Sequence, residues 1–244
     1  MPMHLKAQPI ARMFLEQVRD VFGKELLSVI AYGSAMTADY RPKTSDHNFL
    51  VVLTPEGIAG IKKVQRAAGG WMRDRILFPM FMTKDFIASS LDSYPVEFLN
   101  MKQAYEVLAG EDVLKDLVIP NADLRLQCER ELKGKLLHLR QGYVFTQGKP
   151  RRIRALVNQS LSAFASIFRA LLFLNGKPAD GTREAVLNRA CGEFHLDIAL
   201  FQNLAMIRQK GITYAKFELE NFMERYIAEI ERLCKLVDRM EIKK

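Results

Sequence analysis

Gly33 and Ser34 close one apolar run of the chain, and eleven residues after Ser34 the segment Ser45-Asp46-His47-Asn48 opens the next. Glycine lets a backbone come close to a ligand, and a serine at the start of a short helix offers its hydroxyl and N–H to an anion. Side chains alternate across a strand, so a strand beginning at His47 puts Asp46 and Asn48 on one face and His47, Phe49 and Val51 on the other. Two oxygen-bearing side chains opposite a Gly-Ser turn are the set needed by a hard divalent cation that bridges a nucleoside triphosphate. A third carboxylate on a neighbouring strand would complete it, and Glu97 in the run YPVEFLNM is the candidate. His47 reads as a packed, hydrogen-bonded histidine. His4, His138 and His195 are scattered without metal-ligand spacing.

The elements that must hold these residues alternate in period. Pro9 to Phe22 repeats apolar residues at helical spacing and stops at Gly23. Leu26 to Tyr32 and His47 to Leu53 are short, apolar and partly β-branched, which predicts buried strands. Glu56 to Arg75 predicts a helix interrupted near Gly69-Gly70. Leu77 to Met82 predicts a third strand, confined by Pro79 to an edge or a bulge. Lys84 to Leu91 predicts a short helix, Tyr94 to Met101 a fourth strand, and Gln103 to Leu108 and Asp112 to Leu117 short helices. The expectation for residues 1–120 is a small mixed sheet with flanking helices.

From residue 121 to residue 244 the pattern is purely helical, with apolar stripes such as Leu132, Leu136, Leu139 and Tyr143. Helices are expected over about 151–174, 182–193, 196–208 and from about Ala215, after a first one. Asn175-Gly176-Lys177-Pro178 is a stop signal between two of them. The fold class is therefore α+β, with a second, all-α bundle domain of about five helices.

Composition bounds the function classes. In 244 residues, 49% hydrophobic and 26% charged, the chain has the make-up of an ordinary globular protein. Cys128, Cys191 and Cys234 are far apart and odd in number, which argues against a disulfide framework and for a reducing, cytoplasmic setting. MPMHLKAQPIARMF has no continuous apolar core of the kind a secretory signal needs. Leu161 to Leu174 is short and carries Arg169, so it reads as a bundle helix and not as a membrane span. The net charge of +8 lies wholly in the second half and is densest over Arg125 to Arg154, with nine bases and two acids. That density admits a nucleic-acid partner, but a solvated basic face is the plainer reading, and Lys149, Arg151, Arg152 and Arg154 read as a solvated loop.

Gly33-Ser34 followed by Ser45-Asp46-His47-Asn48-Phe49-Leu50-Val51-Val52 resembles the nucleotidyltransferase superfamily related to DNA polymerase beta. The closest likeness is to its bacterial aminoglycoside-nucleotidyltransferase branch. FLNMKQAYEVLAGED, from Phe98 to Asp112, and the helical second half resemble the same branch. The resemblance implies a nucleotidyltransferase that binds Mg²⁺ with ATP or another NTP between its domains and transfers a nucleotidyl group to a hydroxyl acceptor of unknown identity. Gly33, Ser34 and Ser45 would bind the nucleotide; Asp46, Asn48 and Glu97 would hold metal; Asp46 and Glu97 would be catalytic. Asn48 departs from the pattern, which has a second aspartate there, and an amide supplies no negative charge. The alternative is a catalytically degenerate nucleotide-binding or interaction protein of the same fold, with an RNA-associated module as a third reading.

Overall fold

The computed structural model describes residues 3–77, 79–207 and 214–241, without the side chain of Ser162. Phe78, in the expected third strand, and Arg208, at the expected end of a helix, lie outside them. The chain divides into two compact units, Met1–Pro120 and Asn121–Lys244.

The first unit starts with α1 (Gln8–Phe22), which has proline in its first turn and buries Ala11, Phe14, Val18 and Phe22 on one stripe. Gly23 then turns the chain into β1 (Leu26–Tyr32). A 3-10 turn, Gly33–Met36, and a loop lead to β2 (Asn48–Leu53). After α2 (Pro55–Ala59) and α3 (Gln65–Arg73) comes β3 (Met80–Met82), then α4 (Lys84–Ser89), α5 (Pro95–Gln103) and β4 (Tyr105–Gly110). Threonines at 54 and 83 cap α2 and α4 by accepting from Gly57 N and Phe86 N. The sheet order is β3-β2-β1-β4, with β2 parallel to β3 and both other pairs antiparallel. This is the mixed sheet expected, and β3 is an edge strand directly after Pro79.

Four expectations need correction. The helical interruption falls at Gly60, which caps α2 by donating to Glu56 O and Gly57 O and whose carbonyl accepts from Lys63 N to start a 3-10 turn. Gly69 and Gly70 sit inside α3, because its next residue, Trp71, is buried and anchored by a 2.6 Å bond to Gln17. Tyr94 to Met101 is not a strand: Pro95 and Glu97 are first-turn residues of α5, and its apolar residues are buried all round, which erases the helical period from the sequence. The fourth strand lies instead at Tyr105–Gly110, where a short helix was expected, and residues 112–117 form no helix. Gly110 ends it at φ +78, and a Cβ there would stand 2.0 Å from Leu27 O, so only glycine closes this edge against β1.

One face of the sheet carries Val29, Ala31, Phe49, Val51 and Leu53 into a core with α1 and Trp71. Phe14 stacks on Phe49 at 4.2 Å and meets Trp71 edge-on at 5.0 Å.

Among the described residues the second unit has five helices: α6 (Asn121–Thr146), α7 (Pro150–Leu174), α8 (Arg183–Glu193), α9 (Ile198–Ile207) and α10 (Lys216–Asp238). By length and composition α7 could cross a membrane. In the fold it is the central helix, packed against the other four, with Ala170, Leu171 and Leu172 all buried. Gly176 at φ +65 closes it in a Schellman motif, Lys177 N donating to Leu172 O and Gly176 N to Phe173 O. Arg151, Arg152 and Arg154 lie on the first turns of α7 and not in a loop. Within the basic segment Arg125, Lys133, Lys135 and Arg140 are paired with Glu129, Glu131 or Glu231, the pattern of a solvated, charge-laced face.

Candidate functional site

Gly33, Ser34 and the start of β2 meet at one end of the first unit's sheet. β1 and β2 pair so that Tyr32 stands opposite Asn48, and cross-strand partners share a face. Tyr32 also stands opposite Tyr105 on β4. The floor beside the Gly-Ser turn is therefore Asn48 with two tyrosines, Tyr32 and Tyr105, which the sequence reading passed over. Burial pushes the Tyr32 phenol up to about 12, so its hydroxyl stays protonated. Tyr105 donates its hydroxyl to Asp112 at 3.0 Å.

Gly33 has φ +85, and its amide donates to Ala104 O at 2.9 Å, just beyond the end of α5. A Cβ on Gly33 would stand 3.0 Å from Asn48 Nδ2. Glycine is thus required twice, for the left-handed backbone and for the approach of the amide side chain. Ser34 begins the 3-10 turn, and its carbonyl accepts from Thr37 N and Thr37 Oγ1, which fixes the turn.

The loop before β2 is clasped by its own groups and by Arg75. Ser45 Oγ accepts from Arg41 N at 2.9 Å, so Ser45 acts as a loop clasp in this structure. Arg75 Nη2 donates to Asp46 Oδ1 at 2.6 Å and to Thr44 O at 2.7 Å, and Nε donates to Ser45 O at 3.2 Å. Both members of the ion pair are about two-fifths exposed, 42% and 41%. Arg75 has a left-handed backbone, φ +58, and its carbonyl accepts from His47 N at 2.9 Å. Arg75 was not a sequence candidate; it lies 29 residues from Asp46, and no local motif marks the pairing.

His47 faces the core. It is 2% exposed, and its Nε2 lies 3.3 Å from Tyr40 Oη. Burial holds its pKa below the usual imidazole range; the Asp46 carboxylate opposes that shift, Arg75 adds to it and Asp74 opposes it. The folded chain keeps a neutral ring where the unfolded chain, at about 6.5, takes up a proton. Stability is then complete above about pH 6.5 and falls below it, by up to about 1.4 kcal/mol per pH unit until the folded value is reached. Urea midpoints read from Trp71 fluorescence are expected to drop between about pH 7.5 and about pH 5.5 in the wild type, and to drop less in His47→Gln. Equal drops would remove His47 from the acid response.

The three expected metal ligands come from two kinds of element. Asp46 and Asn48 sit at the strand start, but Glu97 is half-buried on α5 and not on the sheet. α5 itself packs against the Gly33–Met36 turn. β3, the strand beside β2, carries no carboxylate. Glu106 on β4 pairs with Ala31 and so belongs to the opposite, Phe49 face, where it accepts from Met3 N at 2.9 Å. Among the described residues no cluster of three or more His, Cys, Asp or Glu could hold a metal ion. One carboxylate already neutralised by a guanidinium, beside a neutral amide, does not fit the charge a Mg²⁺–triphosphate centre needs.

No family model and no curated protein matches the chain. Among solved structures it is similar to a spectinomycin adenyltransferase from Enterococcus faecialis, crystallised with ATP and spectinomycin. That likeness has a TM-score of 0.55 at 10% identity, over 92% of this chain and 99% of that one. A nucleotidyltransferase-like protein from Exiguobacterium sibiricum aligns over 96% of this chain and 75% of its own, at 14% identity and a TM-score of 0.40. The first likeness shows the fold: the chain shares that of this adenyltransferase.

Proposed function

We propose that the protein binds a nucleoside triphosphate, ATP before others, at the Gly33–Ser34 turn, and that it is a nucleotide-binding protein in which nucleotidyl transfer is suppressed. The observation that carries this reading is the state of Asp46. It is the one carboxylate at the start of β2, and Arg75 holds it at 2.6 Å. In-line transfer to a hydroxyl draws its charge stabilisation from two metals that clamp the attacking and leaving oxygens. Losing a single preorganised electrostatic contact of this sort lowers kcat by about 10²–10³. Here a second charge is missing at Asn48, and a third carboxylate is missing from the sheet face. The glycine turn, the fixed 3-10 geometry and the aromatic floor of Tyr32 and Tyr105 remain suited to phosphate and ribose or base contact. A reducing cytoplasm, where ATP is abundant and the buried thiols of Cys128, Cys191 and Cys234 stay reduced, is the setting this reading implies.

Titration calorimetry with ATP, joined to a pyrophosphate-release assay over a panel of hydroxyl acceptors that includes aminocyclitols, tests it. ATP is expected to bind while pyrophosphate release stays at the background rate. Turnover in the ordinary enzyme range, about 1–10³ s⁻¹, would restore the transferase reading with its unidentified acceptor. Absence of ATP binding under every ionic condition would remove the nucleotide from the account.

A further inference from the structure

We infer that Arg75 is the built-in cation of this site, standing in for a divalent metal, so that nucleotide phosphates bind without one. The inference rests on the nucleotide-binding reading above and adds to it the source of positive charge. Three observations converge on Arg75.

Its guanidinium gathers Thr44 O, Ser45 O and Asp46 Oδ1 through Nε and Nη2 alone. Nη1 is left without a hydrogen bond among the described residues, on a side chain that is 42% exposed. A planar fork that has one arm anchored and another arm open is suited to a phosphate oxygen, which guanidinium groups bind with charge-assisted hydrogen bonds.

Its backbone is committed as well. Residue 75 sits at φ +58, a region that non-glycine residues occupy at a steric cost. The carbonyl bonds His47 N, and Ile76 bridges His47 in parallel register. Glycine would meet the backbone demand without strain, so the backbone alone does not account for an arginine. The side chain does, because from this position it folds back over the loop that leads into Asp46 and Asn48.

Its ion pair is too exposed to be there for stability, since pairs at this depth contribute little to folding. What the pair does is cancel the Asp46 charge, the nearest to the start of β2, with Asp74 as a second carboxylate whose charge reaches His47. Beyond Asp46 the next side chain on that face is Asn48, whose amide reaches the Gly33 turn and adds no charge. The Asp46–Arg75–Asn48 edge is therefore neutral before ligand arrives, where a carboxylate set would need metal to become so.

The test is calorimetric titration of the full chain with ATP, once in EDTA and once in Mg²⁺, with Mg²⁺ and Mn²⁺ alone as further probes. Expected for the wild type are dissociation constants within about threefold of each other in the two buffers, and no heat from either metal alone. Arg75→Gly suits the left-handed backbone and keeps the carbonyl bond to His47 N. It is expected to weaken ATP binding in EDTA by about tenfold or more, the scale of one charge-assisted hydrogen bond. Arg75→Lys is expected to recover part of that loss by charge without the fork. Thermal melts of both variants separate a lost ligand contact from a lost fold. Wild-type binding that appears only with Mg²⁺, or Arg75→Gly that folds and binds ATP as well as the wild type, overturns the inference and leaves the nucleotide reading standing. A chain that binds no ATP in either buffer takes down both.

Discussion

The double variant Arg75→Gly, Asn48→Asp is expected to acquire a divalent-metal site that the wild type lacks. Asp46 and residue 48 are two apart at the start of β2, so continued alternation puts their side chains on one face. Today that face carries one carboxylate, one amide and one guanidinium, and the substitutions leave two carboxylates and no cation. Each unit change of charge at about 4 Å is worth about 1–4 kcal/mol between the dielectric of water and that of a protein surface. Two such changes in the same direction raise Mg²⁺ or Mn²⁺ affinity by about thirtyfold, taken at the low end of that range. Without metal the two carboxylates repel, so the variant is expected to melt below the wild type and to recover as Mn²⁺ is added. Calorimetry with Mn²⁺ and melts against metal concentration both read this. A variant that remains folded yet shows no gain in metal affinity would mean that the strand start is not a latent metal centre.

The parts of the site that were legible in the sequence are those that local chemistry writes down. Gly33-Ser34 had to end a strand, because the apolar run Leu26 to Tyr32 is too short for a helix and stops at a residue that frees the backbone. His47 had to turn inward, because the period of a strand is two and Phe49 and Val51 share its face, and it is buried against Tyr40. The helices of the second unit were legible from stripes such as Leu132, Leu136 and Leu139, all of which are buried.

What the sequence hid falls into two physical classes. In the stretch from Tyr94 to Gly110 the apolar residues Val96, Phe98, Leu99 and Met101 are buried on every side. No amphipathic period survives there, and a run rich in aromatic and β-branched residues imitates a strand. The cue that outranks it is positional, Pro95 followed by Glu97 at a helix start. Reading that cue moves Glu97 off the sheet and hands the fourth strand to Tyr105–Gly110, with its Gly110 stop. The second class is tertiary. Arg75 reaches Asp46 because Ile76 bridges His47 across the sheet edge, a pairing that neither segment encodes by itself.

The site also depends on the core beneath it, and Phe14→Ala tests that dependence with the largest expected loss of stability, about 3–5 kcal/mol. Phe14 is fully buried on α1 and lies nearly parallel to Phe49, 14° between ring planes, with Trp71 edge-on beside both. Removing its ring leaves a cavity that its two aromatic neighbours cannot close, since Trp71 is tethered to Gln17 and Phe49 is fixed by the register of β2. Phe49 is the residue after Asn48 on the opposite face of the same strand, so a loosened Phe49 loosens the start of β2. Trp71 is the chain's single tryptophan, and its emission reports the unit that contains it. Urea unfolding followed by that emission should show a lower midpoint with an unchanged slope, because the surface exposed on unfolding stays the same. Phe14→Leu, which refills most of the volume, should recover the greater part of the loss, and Leu5→Ala on an exposed residue should change little. A cost for Phe14→Ala of under about 1 kcal/mol, far below what a filled aromatic cluster demands, would mean that the strand carrying Asn48 is positioned by something other than this packing.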